Sequence, residues 1–250
     1  MTEITSTNNE TVKETAKLLQ RKYRDKSGKF LLEGYKSVYE AVKSGIKLDK
    51  VFVLKEKSSK YGFINSELIL TNSVVLKKIS STDTPPEVVA VGYQFKTDLD
   101  DIKNSKRVIL LENISDAGNL GTIVRTAAAF GVDAVILYGN AVDVYNPKCV
   151  RSAAGNLWKT KIVKACSITE LKKYFTGYER VAALPRDNNC ISLKDWIPAD
   201  KVLIMFGSEA DGLTDELKHF ATKNVMIEMR VGVESLNLSI AAGVMMYKLT

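Results

Sequence analysis

The sequence predicts an α/β protein in two parts, a small N-terminal α/β domain followed by a larger doubly wound sheet. Three observations carry this reading. Apolar runs of strand length, such as Val108–Leu111 and Val202–Phe206, alternate with segments of helical apolar spacing along most of the chain. A charged stretch poor in apolar residues, Lys96–Lys106, interrupts the alternation and reads as a linker. The 250 residues, 45% hydrophobic and 26% charged, suffice for one large domain or two modest ones with their own cores.

Residues 1–10 are polar and read as a disordered tail. From Thr11 to about Arg24, Val12, Ala16 and Leu19 recur at helical spacing with basic residues between them. Ser27-Gly28-Lys29 is a turn, and Phe30-Leu31-Leu32-Glu33-Gly34 reads as a strand ending in glycine. Val38, Ala41 and Val42 mark one face of the next helix, which Gly45 closes. Strands at Lys50–Leu54, Glu67–Leu70 and Val88–Val91, a helix at Lys77-Lys78 and a Thr84-Pro85-Pro86 turn complete the domain 11–95.

Residues 107–250 form the second domain. Its strands are expected at Arg107–Leu111, Asp133–Tyr138, Lys161–Lys164, Arg180–Leu184, Val202–Phe206 and Val225–Met229. Helices at Asn119–Phe130, Asn146–Ala154, Ile168–Phe175, near Leu213 and from Ser235 onward separate or follow them, with Pro147 in a first helical turn.

Composition narrows the function. No apolar run approaches the roughly 20 residues of a membrane span, and the polar Met1–Glu10 has no signal-peptide core. A cytoplasmic protein with no membrane partner is expected. Cys149, Cys166 and Cys190 offer no C-x-x-C pair, and their odd number argues against a disulfide framework, so buried thiols are expected. The single histidine, His219, leaves no basis for a His-rich metal site or a nucleophile–His pair, and no metal is expected. It reads as a residue of a helix C-terminus. The net charge is +7, and Thr11–Phe30 holds seven basic residues against two acids. Such an excess attracts a phosphate backbone, and it equally suits a solvated helix face.

Three polar clusters follow strands or open helices, where an open α/β sheet builds its ligand sites. In Ser115-Asp116-Ala117-Gly118-Asn119-Leu120-Gly121, small residues permit a tight turn, but the spacing is not G-x-G-x-x-G. The expected ribose-binding acid is also absent, which argues against a nicotinamide site. Arg125 sits in an otherwise apolar helix and needs either a carboxylate, with Glu209 available, or a phosphate. Gly207-Ser208-Glu209-Ala210-Asp211-Gly212 is either a loop whose backbone approaches a ligand or an ordinary loop, with Thr214 capping the next helix. In Gly232-Val233-Glu234-Ser235-Leu236-Asn237-Leu238-Ser239, Ser235 and Asn237 supply two caps, one more than a helix end needs.

Together, Asn119-x-Gly121-x-x-x-Arg125, Gly207-x-Glu209-x-x-Gly212 and Ser235-Leu236-Asn237-Leu238 resemble the three motifs of the SpoU/TrmH family of RNA 2′-O-methyltransferases, over roughly residues 107–249. The segment Phe30–Gly34 and the helix up to Gly45 also resemble the N-terminal substrate-binding domain of many members, an α/β/α sandwich related to RNA-binding ribosomal proteins. The resemblance implies a C-terminal SPOUT domain tied as a trefoil knot, S-adenosylmethionine as cofactor, and a homodimer with shared active sites. It implies Asn119, Arg125, Glu209, Ser235 and Asn237 as active-site residues. Gly207, Ile227 and Leu236, with Leu184, Met229 and Leu238 as neighbours, become the cofactor contacts. Lys22, Arg24, Lys29 and Arg151 are the candidate RNA contacts. Two departures are visible: Ala117 stands where many members have proline, and Glu228 where Ile-Pro-Met is common.

The chemistry expected is an in-line displacement at a sulfonium carbon, in which positioning dominates. A guanidinium stays protonated, so Arg125 is expected to clamp a phosphate and polarise the hydroxyl, with Glu209 orienting it. Ser235, Asn237 and Asn119 would fix the ribose and the loops. Ribosomal RNA is the expected substrate, because the tRNA-guanosine relatives usually lack the N-terminal domain. A tRNA enzyme and a non-catalytic assembly factor on the same fold are the alternatives.

Overall fold

The strands before Gln94 pair into one five-stranded sheet and those after Lys106 into a second, seven-stranded one. The computed structural model describes residues 2–185, 189–230, 232–233 and 235–250. Contacts divide the chain into a first unit, up to Phe95 with Asp143–Trp158, and a second, Lys96–Val142 with Lys159–Thr250.

The first unit runs β1 (Thr2–Glu3), α1 (Glu10–Lys17), α2 (Arg21–Ser27), β2 (Lys29–Glu33), α3 (Tyr35–Lys43), β3 (Leu48–Leu54), β4 (Leu68–Thr71), α4 (Ser73–Ile79) and β5 (Val88–Tyr93). Its strand order is β1-β4-β3-β5-β2, with β5 antiparallel to both neighbours. The expected disordered tail is instead an edge strand. Thr2 and Glu3 pair in parallel with Ile69 and Leu70, and the Ile4 amide donates to the Leu70 carbonyl at 2.9 Å. Ile4 packs on the core and Thr71 Oγ1 donates to its carbonyl at 2.6 Å, so one apolar anchor holds a polar segment.

The single helix expected over Thr11–Arg24 is broken at Leu18–Gln20. Arg24, 2% exposed, explains the break: Nη1 donates to the Leu18 and Leu19 carbonyls at 2.8 and 2.9 Å, the acceptors left over where α1 ends. Its Nη2 lies 2.6 Å from Asp143 Oδ2. That pair, with the Phe30–Tyr145 ring contact at 4.8 Å, ties residues 143–158 to the first unit. The sequence reading had placed this segment wholly in the second domain. Its helix, Pro147–Ser152, is α6 in chain order.

The second unit begins earlier than expected. Residues 96–106 are no linker: a 3₁₀ turn at Leu99–Ile102 buries both of those residues, and Asp98 and Asp101 cap it reciprocally. Then come β6 (Arg107–Glu112), α5 (Ala117–Ala129), β7 (Ala134–Tyr138), β8 (Lys161–Ala165), α7 (Ile168–Phe175), β9 (Glu179–Ala183), β10 (Ile191–Ser192), β11 (Val202–Phe206), α8 (Asp215–Phe220), β12 (Lys223–Met226) and α9 (Leu238–Tyr247). The order β10-β12-β9-β11-β6-β7-β8 is parallel throughout. From β6 the chain moves outward to β7 and β8, while β11 lies on the other side of β6, so the direction reverses at the β6/β11 pair. A parallel sheet places its ligand crevice at the carboxyl ends beside such a reversal. Among the described residues no helix is long and apolar enough to cross a membrane, and no group of three or more His, Cys, Asp or Glu could hold a metal. Of the three cysteines only Cys149 is fully buried; Cys166 is exposed and Cys190 half-buried.

Candidate active site

Each of the three clusters is set by the end of an element. After β6, the Asp116 side chain caps α5 by accepting from the Asn119 amide at 2.8 Å, which fixes the first turn. After β11, Gly207 and Gly212 close a tight loop in which Ser208 bridges to Gly212. A Cβ on Gly207 would lie 1.8 Å from the Gly212 carbonyl carbon, so no side chain fits there. Before α9, Asn237 Oδ1 accepts from the amides of Ser239 and Ile240 at 2.9 and 3.4 Å.

These ends meet through one side chain. Asn119 Nδ2 donates to Glu209 Oε1 at 2.8 Å, and Asn119 Oδ1 accepts from Asn237 Nδ2 at 3.1 Å. One carboxamide thus joins residues 90 and 118 positions away in sequence. The surplus cap is also accounted for: Asn237 caps with its oxygen and uses its nitrogen on Asn119, while Ser235 is exposed and is no cap. Glu234 lies outside the described residues.

Beside this chain of bonds lies a cleft of about 650 Å³ at the carboxyl ends of β9, β11 and β12. Leu184, Gly207, Ile227, Met229, Leu236 and Leu238 line it, as do Glu209, Ser235 and Asn237. Asn119 and Arg125 are outside its lining. Phe206, Lys218, Ala241 and Met245 also line it and were missed. Leu238, Ala241 and Met245 recur at three and seven residues, a helical face legible in the sequence; Lys218 belongs to no motif.

Two expectations are corrected. Arg125 is exposed, and Glu209, expected to orient it, forms no ion pair with it; that carboxylate takes the Asn119 amide instead. The helix that carries Arg125 is apolar on one face only, so the guanidinium stays in water. Thr214 precedes α8 without capping it by its side chain. Its amide and hydroxyl bond the buried Glu112 carboxylate at 2.8 and 2.7 Å, anchoring the loop after β11 to the end of β6. His219 does sit in the last turn of α8, with Nδ1 2.6 Å from the Asp215 carbonyl. The departing Glu228 pairs with Lys194 at 2.5 Å.

The candidate RNA contacts, all in the first unit, fare unequally. Arg24 is buried against Asp143 and cannot reach a phosphate. Lys29 is 2.9 Å from Asp49, a hydrogen bond that raises its pKa against the cost of burial. Arg151 Nη1 is engaged by Ser81 Oγ and lies 3.4 Å from the buried Glu33 carboxylate. Lys22 is exposed, its ammonium 4.8 Å from the Tyr23 ring.

Comparison with known proteins agrees with this geometry. A Synechocystis protein named as a tRNA/rRNA methyltransferase is 33% identical over 98% of this chain and 92% of its own length. The 23S rRNA (guanosine(2553)-2′-O)-methyltransferase of Bacillus subtilis is 29% identical over 100% of this chain and 99% of its own. The crystal structure of an AdoMet-bound rRNA methyltransferase from Sinorhizobium meliloti superposes with a TM-score of 0.88 at 28% identity, covering 98% of this chain and 96% of that one. Residues 9–90 match the MRM3-like substrate binding domain. Residues 106–247, more than half of the chain, match the SpoU rRNA Methylase family, and the chain belongs to that family.

Proposed function

We propose that the protein methylates a ribose 2′-hydroxyl of ribosomal RNA, using S-adenosylmethionine. The observation that carries this is the Glu209–Asn119–Asn237 chain of hydrogen bonds at the edge of a cleft built from strand ends. The cleft suits the cofactor: its volume is ordinary for a small-molecule site, aliphatic side chains offer walls for a base, and Ser208, Asp211 and Ser235 offer polar partners. When bound, the cofactor supplies a methyl carbon already activated by its sulfonium. The family relatives named for 23S rRNA, and the match of residues 9–90 to a substrate binding domain, favour ribosomal RNA and hence the cytoplasm.

The residues of this chain then position rather than activate. Asn119, held from both sides, locks the two cofactor loops at one spacing. Glu209 serves that lock, and Ser235 is free to meet the ribose. Arg125 follows Asn119 by six residues, about 240° around a helix of 3.6 residues per turn, so the two do not share a face. A protonated guanidinium with no acidic partner among the described residues is suited to clamping an RNA phosphate and drawing charge from the neighbouring hydroxyl.

A second copy of the chain completes this reading. The ten residues of α9 carry no charge, and Ile240, Val244 and Tyr247 are exposed along one stripe. A helix apolar all round is normally covered. We assign the stripe to a homodimer in which Arg125, on the α5 helix packed along α9, serves the partner's cleft. The trefoil knot implied by the resemblance belongs to the same proposal. Radiolabelled methyl incorporation into total RNA from a deletion strain tests the activity: label in 23S rRNA is expected, and label in tRNA alone, or none, refutes it. An Arg125→Lys enzyme with near-normal turnover would remove the bidentate clamp.

A further inference from the structure

The first unit holds an aromatic cluster that the proposed function leaves unused. α3 starts just after Gly34, whose φ of +86° favours glycine, and it presents Tyr35 and Tyr39 one turn apart. Their rings stack with centroids 5.7 Å apart and planes 13° from parallel, yet Tyr35 is 48% and Tyr39 37% exposed. Phe63 stands edge-on to both, at 5.8 and 5.3 Å. Tyr61 lies 5.9 Å from Tyr35, wholly buried, and its hydroxyl has no hydrogen-bond partner. A cluster that served only the core would bury all of its rings. Here Tyr61 does that work, while Tyr35 and Tyr39 are held ordered in solvent.

Charge names the occupant. Residues of the first unit include 18 lysines and arginines against 12 aspartates and glutamates, which is +6 of the +7 carried by the whole chain. On α3 itself Lys36 and Lys43 are exposed and form no ion pair among the described residues. Aromatic faces flanked by free cations fit single-stranded RNA, whose unpaired bases stack on aromatic side chains while lysines follow the backbone. We propose that Tyr35 and Tyr39, backed by Phe63, form a stacking platform for an unpaired base of the substrate RNA, with Lys36 and Lys43 meeting adjacent phosphates. This rests on RNA being the substrate.

The test compares a short oligoadenylate with a fully paired RNA duplex of equal length, both titrated against the full-length protein. A Tyr35→Ala/Tyr39→Ala protein is expected to lose about tenfold affinity for the single strand, the scale of one lost stack, and none for the duplex. Tyr35→Phe/Tyr39→Phe keeps the ring faces and should bind as wild type. Lys36→Ala/Lys43→Ala should lower the salt slope of single-strand binding by about 1.4. Circular dichroism and a thermal melt of the full-length protein check that each variant is folded; Tyr35→Ala alone gives the same contrast should the double variant be unstable. Equal loss for both RNAs, no loss for the single strand, or a changed sedimentation mass in the alanine protein would overturn the platform. The last outcome assigns the face to a second copy of the chain. Failure of the wild-type protein to methylate RNA would instead strike at the substrate, whereas methylation of rRNA by the alanine protein at unchanged KM would remove only the platform.

Discussion

In the first unit the charged residues that look most available are bound up inside the fold, whereas in the second the polar residues of two motifs stand open at a cleft. Arg24 closes a helix end and pairs with Asp143; Arg151 and Lys29 are drawn onto Glu33 and Asp49. Glu209, Ser235 and Asn237 line a cavity, and the bonds that hold Glu209 and Asn237 leave donors and acceptors to spare. The contrast teaches that a basic segment is not a binding surface until its internal acceptors are counted. A buried guanidinium costs too much to leave unpaired. An exposed amide chain between two loops costs little and stays usable.

Five substitutions would break or sharpen this contrast. The largest effect is expected for Arg24→Ala, which strands Asp143 and two helix-end acceptors; unfolding by denaturant should show a loss of about 3–5 kcal/mol. Unchanged stability with weakened RNA binding would return Arg24 to the surface role that its sequence context first indicated. Next comes Asn119→Ala in the second unit. Here stability should hardly move, while kcat falls about 100-fold because the two loops lose their common spacer; a kcat within the wild-type range would make that spacer ornamental.

A smaller effect, of opposite sign, is expected at Ala154, which follows α6 with φ at +49°. Glycine adopts that backbone without the strain of a side chain, so Ala154→Gly should raise stability by about 1 kcal/mol, read as a higher Tm. The smallest effect concerns acid. Burial pushes the Asp49 and Glu179 carboxyls up, but hydrogen bonds outweigh it, from Lys29 and Tyr93 onto Asp49 and from Lys223, the Ala199 amide and Trp196 onto Glu179. Both therefore sit below their ordinary values of 3.8 and 4.5. As pH falls the unfolded chain takes up these protons first, so the stability they give is intact above those values and lost as pH drops through the lower native ones. Asp49→Asn and Glu179→Gln should each flatten the acid limb of a stability–pH curve, and an unaltered limb in both would discount the two pairs.

Much of the architecture was legible because burial repeats with the period of the element. Val202–Phe206 and Ile168–Phe175 were read with the bounds that the structure shows. What failed were segments whose local composition misrepresents their contacts. The polar residues 1–10 hide Ile4, and the charged residues 96–106 hide Leu99 and Ile102. The residues that the resemblance gave as cofactor contacts all line the cleft, since each lies near a strand end or helix start. The RNA contacts had no such anchor, and of the four only Lys22 remains exposed and clear of any carboxylate partner among the described residues.

By itself the amino-acid order determined most of the strands and helices, the parallel sheet of the second unit and the family to which the chain belongs. Each of these is written in spacings of a few residues, where side-chain periodicity and turn chemistry act directly. Only the tertiary structure decided that Asn119, not Arg125, donates to Glu209, that Arg24 is an internal clamp, and that Tyr35 and Tyr39 stack in solvent. Those outcomes depend on which acceptors and surfaces the folded backbone brings within 3 Å or so of a donor, and for Glu209 and Arg24 the partner comes from a distant part of the chain.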